Sequence, residues 1–569
     1  MANINPKHIW ITSLPEPLQT SSQGSLQGLR FAVKDNIDVA GVPTTAGCEA
    51  FAYYPQASAS SVSKLLAAGA SLVGKTNLDQ FACGLNGTRS PYGACENSFD
   101  TRYISGGSSS GSAVAVATGQ VDFALGTDTA GSGRVPASLN NIIGLKPTKG
   151  LISCAGVVAA SQSVDCISIF ARDIPTAIAV LNVASGFDEL DPYSRKISLN
   201  TAPIAKTFSF AVPNTLEFFG DEAAQTLFTK AVERMLALGG SCIQFDYEPL
   251  ATAAKSLYES AYVAERYQSI REFFDANEEQ VLPSVRSIIA SGKGYGAADL
   301  FEVFSALASA KQKADVLLAK VDFLLLPTCP TTYTIEQMQA DPIALNRNLG
   351  YYTNFVNLLD MAAIAIPAGI KESGPQIGLP WGISLIGASG SDLQLAQRAQ
   401  QFLLDQDLGC GASELLRLNK PKSIDLLSLW HQSAANTTRV AVVGAHLSGM
   451  PLNTQLTERG ARLLQSTSTS PRYQFFALPN TTPPKPGLKF VGDGGSAIAL
   501  EIWEMPMENY GSFVSLIPSP LGIGTVELID GSSVQGFICE PRALEGAKDI
   551  SSFGGWRAYI ASLNKTPTQ

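Results

Sequence analysis

Short apolar runs and helical patterns alternate along roughly the first 400 residues. Apolar runs bounded by turn residues predict buried strands, and the clearest are LRFAVKDNIDV (29–39), SLVGKT (71–76), VDFALGTD (121–128) and VDFLLLPT (321–328). Apolar residues at helical spacing predict helices between them, for example in SSVSKLLAAGA (60–70) and in the segment 253–274. This order predicts an α/β fold with a largely buried sheet.

Strands dominate the pattern near the C-terminus. RVAVVGAHL (439–447) predicts a strand that enters a glycine loop, SAIALEIWEMP (496–506) alternates, and TVELIDGSSVQGFIC (525–539) predicts a hairpin around Asp530-Gly531. The polar, proline-containing segment 416–439 separates the two textures. We therefore expect a first domain at 1–418, a linker at 419–438 and a smaller β-dominated domain at 439–569.

Composition excludes several classes of protein. The chain of 569 residues carries a net charge of −9 and no Lys/Arg-rich run, which disfavours a nucleic-acid or anionic-membrane surface. No apolar run approaches the roughly 18 residues that a membrane span needs, and the first ten residues lack the features of a signal peptide. Nine scattered cysteines without a CxxC pair predict a cytoplasmic location and no structural zinc site.

Histidines are scarce. The three are His8, His431 and His446, so none lies between Ile9 and Trp430. A Ser-His-Asp triad or a two-histidine metal site cannot be built within that stretch. Hydrolytic chemistry there must activate its nucleophile with another group.

The densest signal for chemistry lies at 105–149. Ser108, Ser109 and Ser110 follow two glycines and open a run of small apolar residues, and Ser132 follows 24 residues after Ser108 in TAGSGR. Small residues let backbone N–H groups converge on an anion, as an oxyanion hole requires. The alternatives are a flexible linker or a phosphate-binding loop. A linker does not alternate with buried Ala/Val runs, and the GxxxxGK[ST] spacing is absent.

GGSSSGSA followed by GTDTAGSGRVPASLNNIIGLKPT resembles the amidase signature family over roughly residues 25–410. The resemblance implies a mixed central sheet covered by helices, no metal or organic cofactor, and a Ser-Ser-Lys triad whose middle serine follows a cis peptide bond. It implies that Ser132 is the nucleophile, Ser108 the bridging serine and Lys34 the base. It also implies an oxyanion hole formed by the N–H groups of Thr129, Ala130, Gly131 and Ser132.

Two lysines compete for the role of base. Lys34 ends the apolar run LRFAV, and Lys75 also follows a strand, in VGKTN. A lysine serves as a base only when burial or nearby positive charge lowers its pKa, and Asp35 beside Lys34 would act in the opposite direction. The residues alone leave both lysines open, and the resemblance favours Lys34.

The segment LYESAYVAERY (257–267), together with the C-terminal domain, resembles the allophanate hydrolases within that family. The resemblance implies that Arg266 grips the carboxylate of a small anionic amide, that Tyr258 donates a hydrogen bond to it, and that backbone at Gly84 contacts the amide. Eight residues span about two helical turns, so Tyr258 and Arg266 could face one pocket from a single helix. Without the resemblance, such a tyrosine and arginine most often lie at the surface or form salt bridges, here with Glu259 or Glu265.

The C-terminal domain resembles one related in fold to γ-glutamyl cyclotransferases, and His446 ends its first predicted strand. The resemblance implies that the amidase domain hydrolyses allophanate and that His446 assists a following decarboxylation. A homodimer is a further expectation, and the source of allophanate is either a urea carboxylase as pathway partner or a cyanuric-acid-type pathway. The alternatives are a general amidase, a component like those of glutamyl-tRNA amidotransferase, and an inactive scaffold.

Overall fold

The computed structural model describes residues 5–406, 409–418, 420–430, 437–479 and 481–563. The chain divides into two compact units between Trp430 and His431. His431 itself lies outside the described residues. Within those residues, no helix is both long enough and apolar enough to cross a bilayer.

One mixed sheet forms the centre of the first unit. Its strands are β1 (Trp10–Leu18), β2 (Arg30–Lys34), β3 (Ser71–Thr76), β4 (Phe123–Asp128), β5 (Ile143–Lys146), β6 (Cys166–Ala171), β7 (Phe208–Pro213), β8 (Gly240–Phe245), β9 (Phe323–Pro327), β10 (Met361–Ile370) and β11 (Pro380–Ala388). They are ordered β1-β3-β2-β4-β6-β5-β10-β11-β9-β7-β8. Pairing is parallel around β2 and around β7 and antiparallel elsewhere. The mixed α/β prediction is confirmed.

Helices surround this sheet. They are α1 (Ser60–Ala67), α2 (Ser110–Ala117), α3 (Val135–Leu139), α4 (Ile174–Ala184), α5 (Glu222–Ala237), α6 (Glu248–Glu259), α7 (Ala264–Ser269), α8 (Arg271–Asn277), α9 (Pro283–Ser291), α10 (Ala297–Leu318), α11 (Ile335–Ala340), α12 (Ala344–Leu349), α13 (Phe355–Leu358), α14 (Asp392–Asp405), α15 (Glu414–Arg417) and α16 (Leu426–Leu429). Every residue of α2 is buried, because its small side chains let it pack closely on β2 and β4.

Two features of the first unit differ from the sequence prediction. The segment 253–274 is not one helix, because Ser260 adopts an extended conformation after α6 and its hydroxyl accepts a hydrogen bond from the Tyr262 N–H. Strand β1 was not predicted either. It carries two prolines and lies at the sheet edge, where missing donors are tolerated.

The second unit contains a five-stranded and a three-stranded sheet. Its elements are β12 (Thr437–Val442), α17 (Thr454–Thr457), β13 (Arg462–Ser468), β14 (Tyr473–Ala477), β15 (Pro486–Phe490), β16 (Ala499–Pro506), α18 (Met507–Val514), β17 (Leu521–Glu527), β18 (Ser533–Cys539), β19 (Lys548–Asp549) and α19 (Trp556–Leu563). The antiparallel pair β17–β18 is the hairpin predicted around Asp530-Gly531. A smaller β-rich domain is therefore confirmed.

Part of the segment expected to be a linker is packed. Leu426 and Trp430 are buried in the core of the first unit, and β12 already begins at Thr437. The domain limits at residues 418 and 439 remain a prediction.

Candidate active site

Lys34 is the last residue of β2, and its side chain is completely buried. Its Nζ lies 2.7 Å from Ser108 Oγ and 2.8 Å from Thr127 Oγ1, which is on β4 beside β2. Burial is the largest influence on the pKa of Lys34 and lowers it to about 7. The negative charges of Asp79, Asp165 and Asp128 raise this pKa but do not offset burial. A substantial fraction of this amine is therefore neutral near pH 7 and able to accept a proton.

Ser108 joins Lys34 to Ser132. It lies two residues before α2, and the Gly107–Ser108 peptide bond is cis, as the resemblance implies. Ser108 Oγ donates to Ser132 Oγ at 2.9 Å. All three side chains are at most 2% exposed. The structure therefore brings the three residues of the expected triad into one buried hydrogen-bonded chain.

Ser109 and Ser110 do not belong to that chain. Ser109 Oγ donates to the Thr127 carbonyl, and Ser110 Oγ donates to the Asn77 carbonyl. Both hydroxyls therefore hold backbone in place.

Lys75, the rival base, is occupied elsewhere. Its Nζ lies 3.2 Å from Asp35 Oδ1 and donates to Thr44 Oγ1 and to the Pro43 carbonyl. The Asp35 carboxylate therefore pairs with Lys75, although Asp35 is next to Lys34 in sequence. This geometry leaves Lys34 as the lysine in contact with a serine.

A buried ion pair fixes the loop that carries Ser132. Arg134 Nε and Nη2 donate to the two oxygens of Asp128 at 2.9 and 3.0 Å, and both side chains are fully buried. Between them, Gly131 has a φ of +153°, and a Cβ there would lie 2.4 Å from Thr353 Oγ1. Because this position tolerates no side chain, glycine is required beside Ser132.

The four backbone N–H groups expected to form the oxyanion hole are those of Thr129, Ala130, Gly131 and Ser132. In the described part of the chain, none of them donates to a protein acceptor. The Thr129 hydroxyl donates to Asp165 at 2.5 Å, and burial raises the pKa of that carboxyl to about 6. Asp165 thus anchors the first residue of the loop.

Tyr258 and Arg266 meet although they do not share a helix. Tyr258 is in the last turn of α6 and Arg266 is on α7, so the expectation of a continuous helix was wrong. Arg266 Nη2 nevertheless donates to Tyr258 Oη at 3.2 Å, and the guanidinium lies 4.8 Å from the centre of the tyrosine ring. The turn at 261–263 redirects the chain and brings the two side chains together.

Arg266 is 3% exposed, yet its Nε and Nη1 have no hydrogen-bond partner in the described structure. The acids that could have formed a surface set with it are engaged elsewhere. Glu259 pairs with Arg347, and Glu265 accepts from Ser163. A buried guanidinium with free donors is suited to an anionic ligand.

Gly84 lies beside Ser132. Ser132 Oγ donates to the Gly84 carbonyl at 3.4 Å, and a Cβ on Gly84 would lie 2.4 Å from Asp79 Oδ2. Asp79 accepts hydrogen bonds from the N–H groups of Asn86, Gly87 and Arg89. This carboxylate therefore holds the loop that presents Gly84.

Sequence reasoning missed the residues that position the triad. Five buried polar residues contact a candidate catalytic residue or the loop that carries one: Thr127, Asp128, Asp79, Asp165 and Arg134. Three of them lie within the same run as Ser132, in GTDTAGSGR. Polar residues between a predicted strand and the predicted nucleophile Ser132 were the available signal.

In the second unit, His446 borders a cavity of about 220 Å³. Its Nε2 lies 2.9 Å from Gln455 Oε1, and its ring stacks on Phe537 with 5.1 Å between centroids. Burial lowers the pKa of His446, which favours the neutral imidazole in the unliganded protein. Lys485 also lines this cavity and supplies a positive charge.

The described residues hold no group of three or more His, Cys, Asp or Glu side chains arranged to bind a metal ion.

The sequence model of the family described as Amidase matches residues 12–396. The chain belongs to the amidase family. Residues 438–561 match the model described as the allophanate hydrolase C-terminal domain.

Relatives extend this amidase-family assignment along the chain. The urea amidolyase of Lachancea kluyveri is 45% identical over 99% of this chain, which covers 31% of that protein. The chain thus spans about a third of the length of this relative. The selenomethionine-substituted allophanate hydrolase of Kluyveromyces lactis matches with 42% identity and a TM-score of 0.76, over 94% of this chain and 89% of that one. A component of the glutamyl-tRNA(Gln) amidotransferase of Cyanothece is 33% identical over 64% of this chain and 81% of that protein.

Proposed function

We propose that this chain is an amidohydrolase that hydrolyses the terminal amide of allophanate to ammonia and N-carboxycarbamate. The observation that carries the proposal is the hydrogen-bonded chain from Lys34 through Ser108 to Ser132, with the two free donors of buried Arg266 in the same unit. The match of 94% of this chain to the solved structure of the Kluyveromyces lactis allophanate hydrolase supports the same substrate.

The triad activates the nucleophile. Neutral Lys34 takes a proton from Ser108, which takes the proton of Ser132 as Ser132 Oγ attacks the amide carbon. The free N–H groups of Thr129 to Ser132 stabilise the oxyanion, and one such donor contributes roughly 3–4 kcal/mol. The relay returns the proton to the leaving nitrogen, ammonia departs, and Ser132 remains acylated. Water then cleaves this ester by the same proton path and restores Ser132.

Arg266 and Tyr258 select the substrate in this proposal. The free Arg266 Nε and Nη1 donate to the carboxylate of allophanate, and Tyr258 holds the guanidinium through its hydroxyl and ring. Backbone at Gly84 lies where it can contact the amide, since its carbonyl already accepts from Ser132. An amide without a carboxylate would leave the buried guanidinium unpaired, at an energetic cost.

The second unit is proposed to assist decarboxylation of N-carboxycarbamate. Lys485 and His446 border one cavity, and a bound dianion there would favour the protonated form of His446. Loss of CO₂ leaves an electron pair on nitrogen that takes one proton, which His446 can deliver, to give carbamate. The allophanate itself is proposed to come from carboxylation of urea, by a urea carboxylase acting as pathway partner.

The alternatives have less support. The amidotransferase relative from Cyanothece covers only 64% of this chain, whereas the allophanate hydrolase of Kluyveromyces lactis covers 94% of it. An inactive scaffold would not require an intact triad with a lysine whose pKa is lowered to about 7.

A substrate panel tests this proposal. Ammonia release by the purified chain is measured with allophanate, glutamine, acetamide and a long-chain fatty amide at equal concentration. The proposal predicts a kcat/KM for allophanate at least about 10²-fold above the others, because only this substrate pairs with Arg266. Preferential turnover of glutamine or of the fatty amide would overturn it.

A further inference from the structure

A cavity of about 310 Å³ in the first unit adjoins Tyr258 and is not used by the mechanism. Its walls come from α6, from α9 through Ile288, and from the segment 343–354. Tyr258 lines this cavity and also accepts the hydrogen bond from Arg266. The cavity therefore reaches a residue that contacts the proposed carboxylate site.

Substrate must reach a closed site. Ser132 is 2% exposed, and Ser108 and Lys34 are fully buried. An anion faces a second obstacle, because the whole chain carries a net charge of −9. Attraction over long distances does not favour its capture, so local positive charge is needed.

The cavity supplies that charge. Its lining includes three cationic side chains, Arg89, Lys255 and Arg347, and one acid, Glu259. Glu259 is paired with Arg347 at 2.9 Å, so Arg89 and Lys255 are left in excess. The Lys255 side chain is exposed and makes no ion pair or hydrogen bond within the described residues.

Arg89 provides a fixed cation close to Tyr258. It is 3% exposed, and its terminal nitrogens donate to the carbonyls of Cys83 and Pro342. Asn354 also lines the cavity, and the buried Arg89 Nε and Asn354 Oδ1 have no partner in the described structure.

We propose that this cavity is the access route to Ser132, and that Lys255 and Arg89 draw the anionic substrate through it toward Arg266. Allophanate has seven non-hydrogen atoms, and the cavity is larger than a molecule of that size needs. This size suits passage of the substrate better than tight binding. This inference rests on the proposed function for its ligand, but the route itself can be tested without allophanate.

Adjacent alanines on α6 give a matched test of the route. Ala254 lines this cavity, whereas Ala253 lines a different one together with Thr252 and Leu307. The rate at which a small fluorophosphonate labels Ser132 is measured by intact mass in Ala254→Phe and Ala253→Phe. The expected result is labelling at least about fivefold slower in Ala254→Phe, with a circular dichroism spectrum like that of Ala253→Phe. Equal labelling rates in the two folded variants would overturn the route.

The role of positive charge in drawing in the substrate is tested by reversing the charge of one residue. In Lys255→Glu, kcat/KM for allophanate should fall about three- to tenfold at low salt, with a smaller change in kcat, and recover toward wild type as salt screens the charges. Lys320→Glu makes the same charge change outside the cavity lining and should match wild type. Equal salt dependence in both variants would refute the attraction of the anion. If wild type is labelled at Ser132 but does not release ammonia from allophanate, the proposed substrate fails, while the labelling comparison still decides the route.

Discussion

Lys34 Nζ lies 2.7 Å from Ser108 Oγ in a fully buried environment. This contact supports Lys34 as the proposed base, since Lys75, the other lysine that the residues alone left open, pairs with Asp35 instead. It also makes the proton relay dependent on pH, because only the neutral amine can accept a proton.

The pH dependence follows from the lowered pKa of Lys34. The ammonium form predominates below a pH of about 7 and cannot act as a base, so kcat/KM should rise with pH around a midpoint of about 7. Lys34→Met and Lys34→Arg should both lose about 10³-fold or more, since methionine has no base and arginine stays charged. Steady-state kinetics across this pH range checks the expectation, and a flat profile would argue against Lys34 as the base.

Lys75→Met should affect stability instead of chemistry. It leaves Asp35 buried without its cation, and loss of one partner of a buried pair costs about 3–5 kcal/mol. Denaturant unfolding should show this loss, with kcat per folded molecule retained. The double variant Lys75→Met/Asp35→Asn should recover part of it. Normal stability combined with lost turnover would return Lys75 to the candidates for the base.

Arg266→Gln should reduce kcat/KM for allophanate by about 10² to 10³, because it removes the buried charge that pairs with the carboxylate. Tyr258→Phe removes a single hydrogen bond to Arg266 and should cost about tenfold. Biuret, in which a neutral amide replaces the carboxylate, provides the comparison. We expect biuret to be hydrolysed slowly by wild type and this rate to change little in Arg266→Gln, and an equal loss for both compounds would point to a structural role.

His446→Asn tests the second step separately. Asparagine can still hydrogen-bond to Gln455 but does not titrate near neutral pH. Release of the first ammonia should be unchanged, while CO₂ formation should slow about tenfold or more. Parallel assays of both products check this expectation. Unchanged formation of CO₂ would remove His446 from the mechanism.

The sequence predicted the strands that position the site more securely than the residues that select the substrate. LRFAVKDNIDV contains β2 and VDFALGTD contains β4, since both are apolar runs bounded by turns. Tyr258 contacts Arg266 because the helix is interrupted at Ser260. Helical periodicity could not predict this interruption. The order of the strands depends on contacts between distant segments, so the pattern along the chain does not determine it.

Local charge was equally hard to infer from sequence. Asp35 adjoins Lys34 in the chain, yet its partner is Lys75, because the end of β2 directs the two side chains to different neighbours. The lowered pKa of Lys34 depends on burial by the surrounding fold, which no single motif specifies.

The most direct test of the central claim is ammonia release from allophanate by wild type, Ser132→Ala and Ser110→Ala. Ser110 is close in sequence to the triad, but its hydroxyl holds backbone at Asn77, so this variant is the matched control. The account predicts that Ser132→Ala loses about 10⁴-fold or more in kcat while Ser110→Ala stays within about tenfold of wild type. Substantial turnover by Ser132→Ala would contradict it.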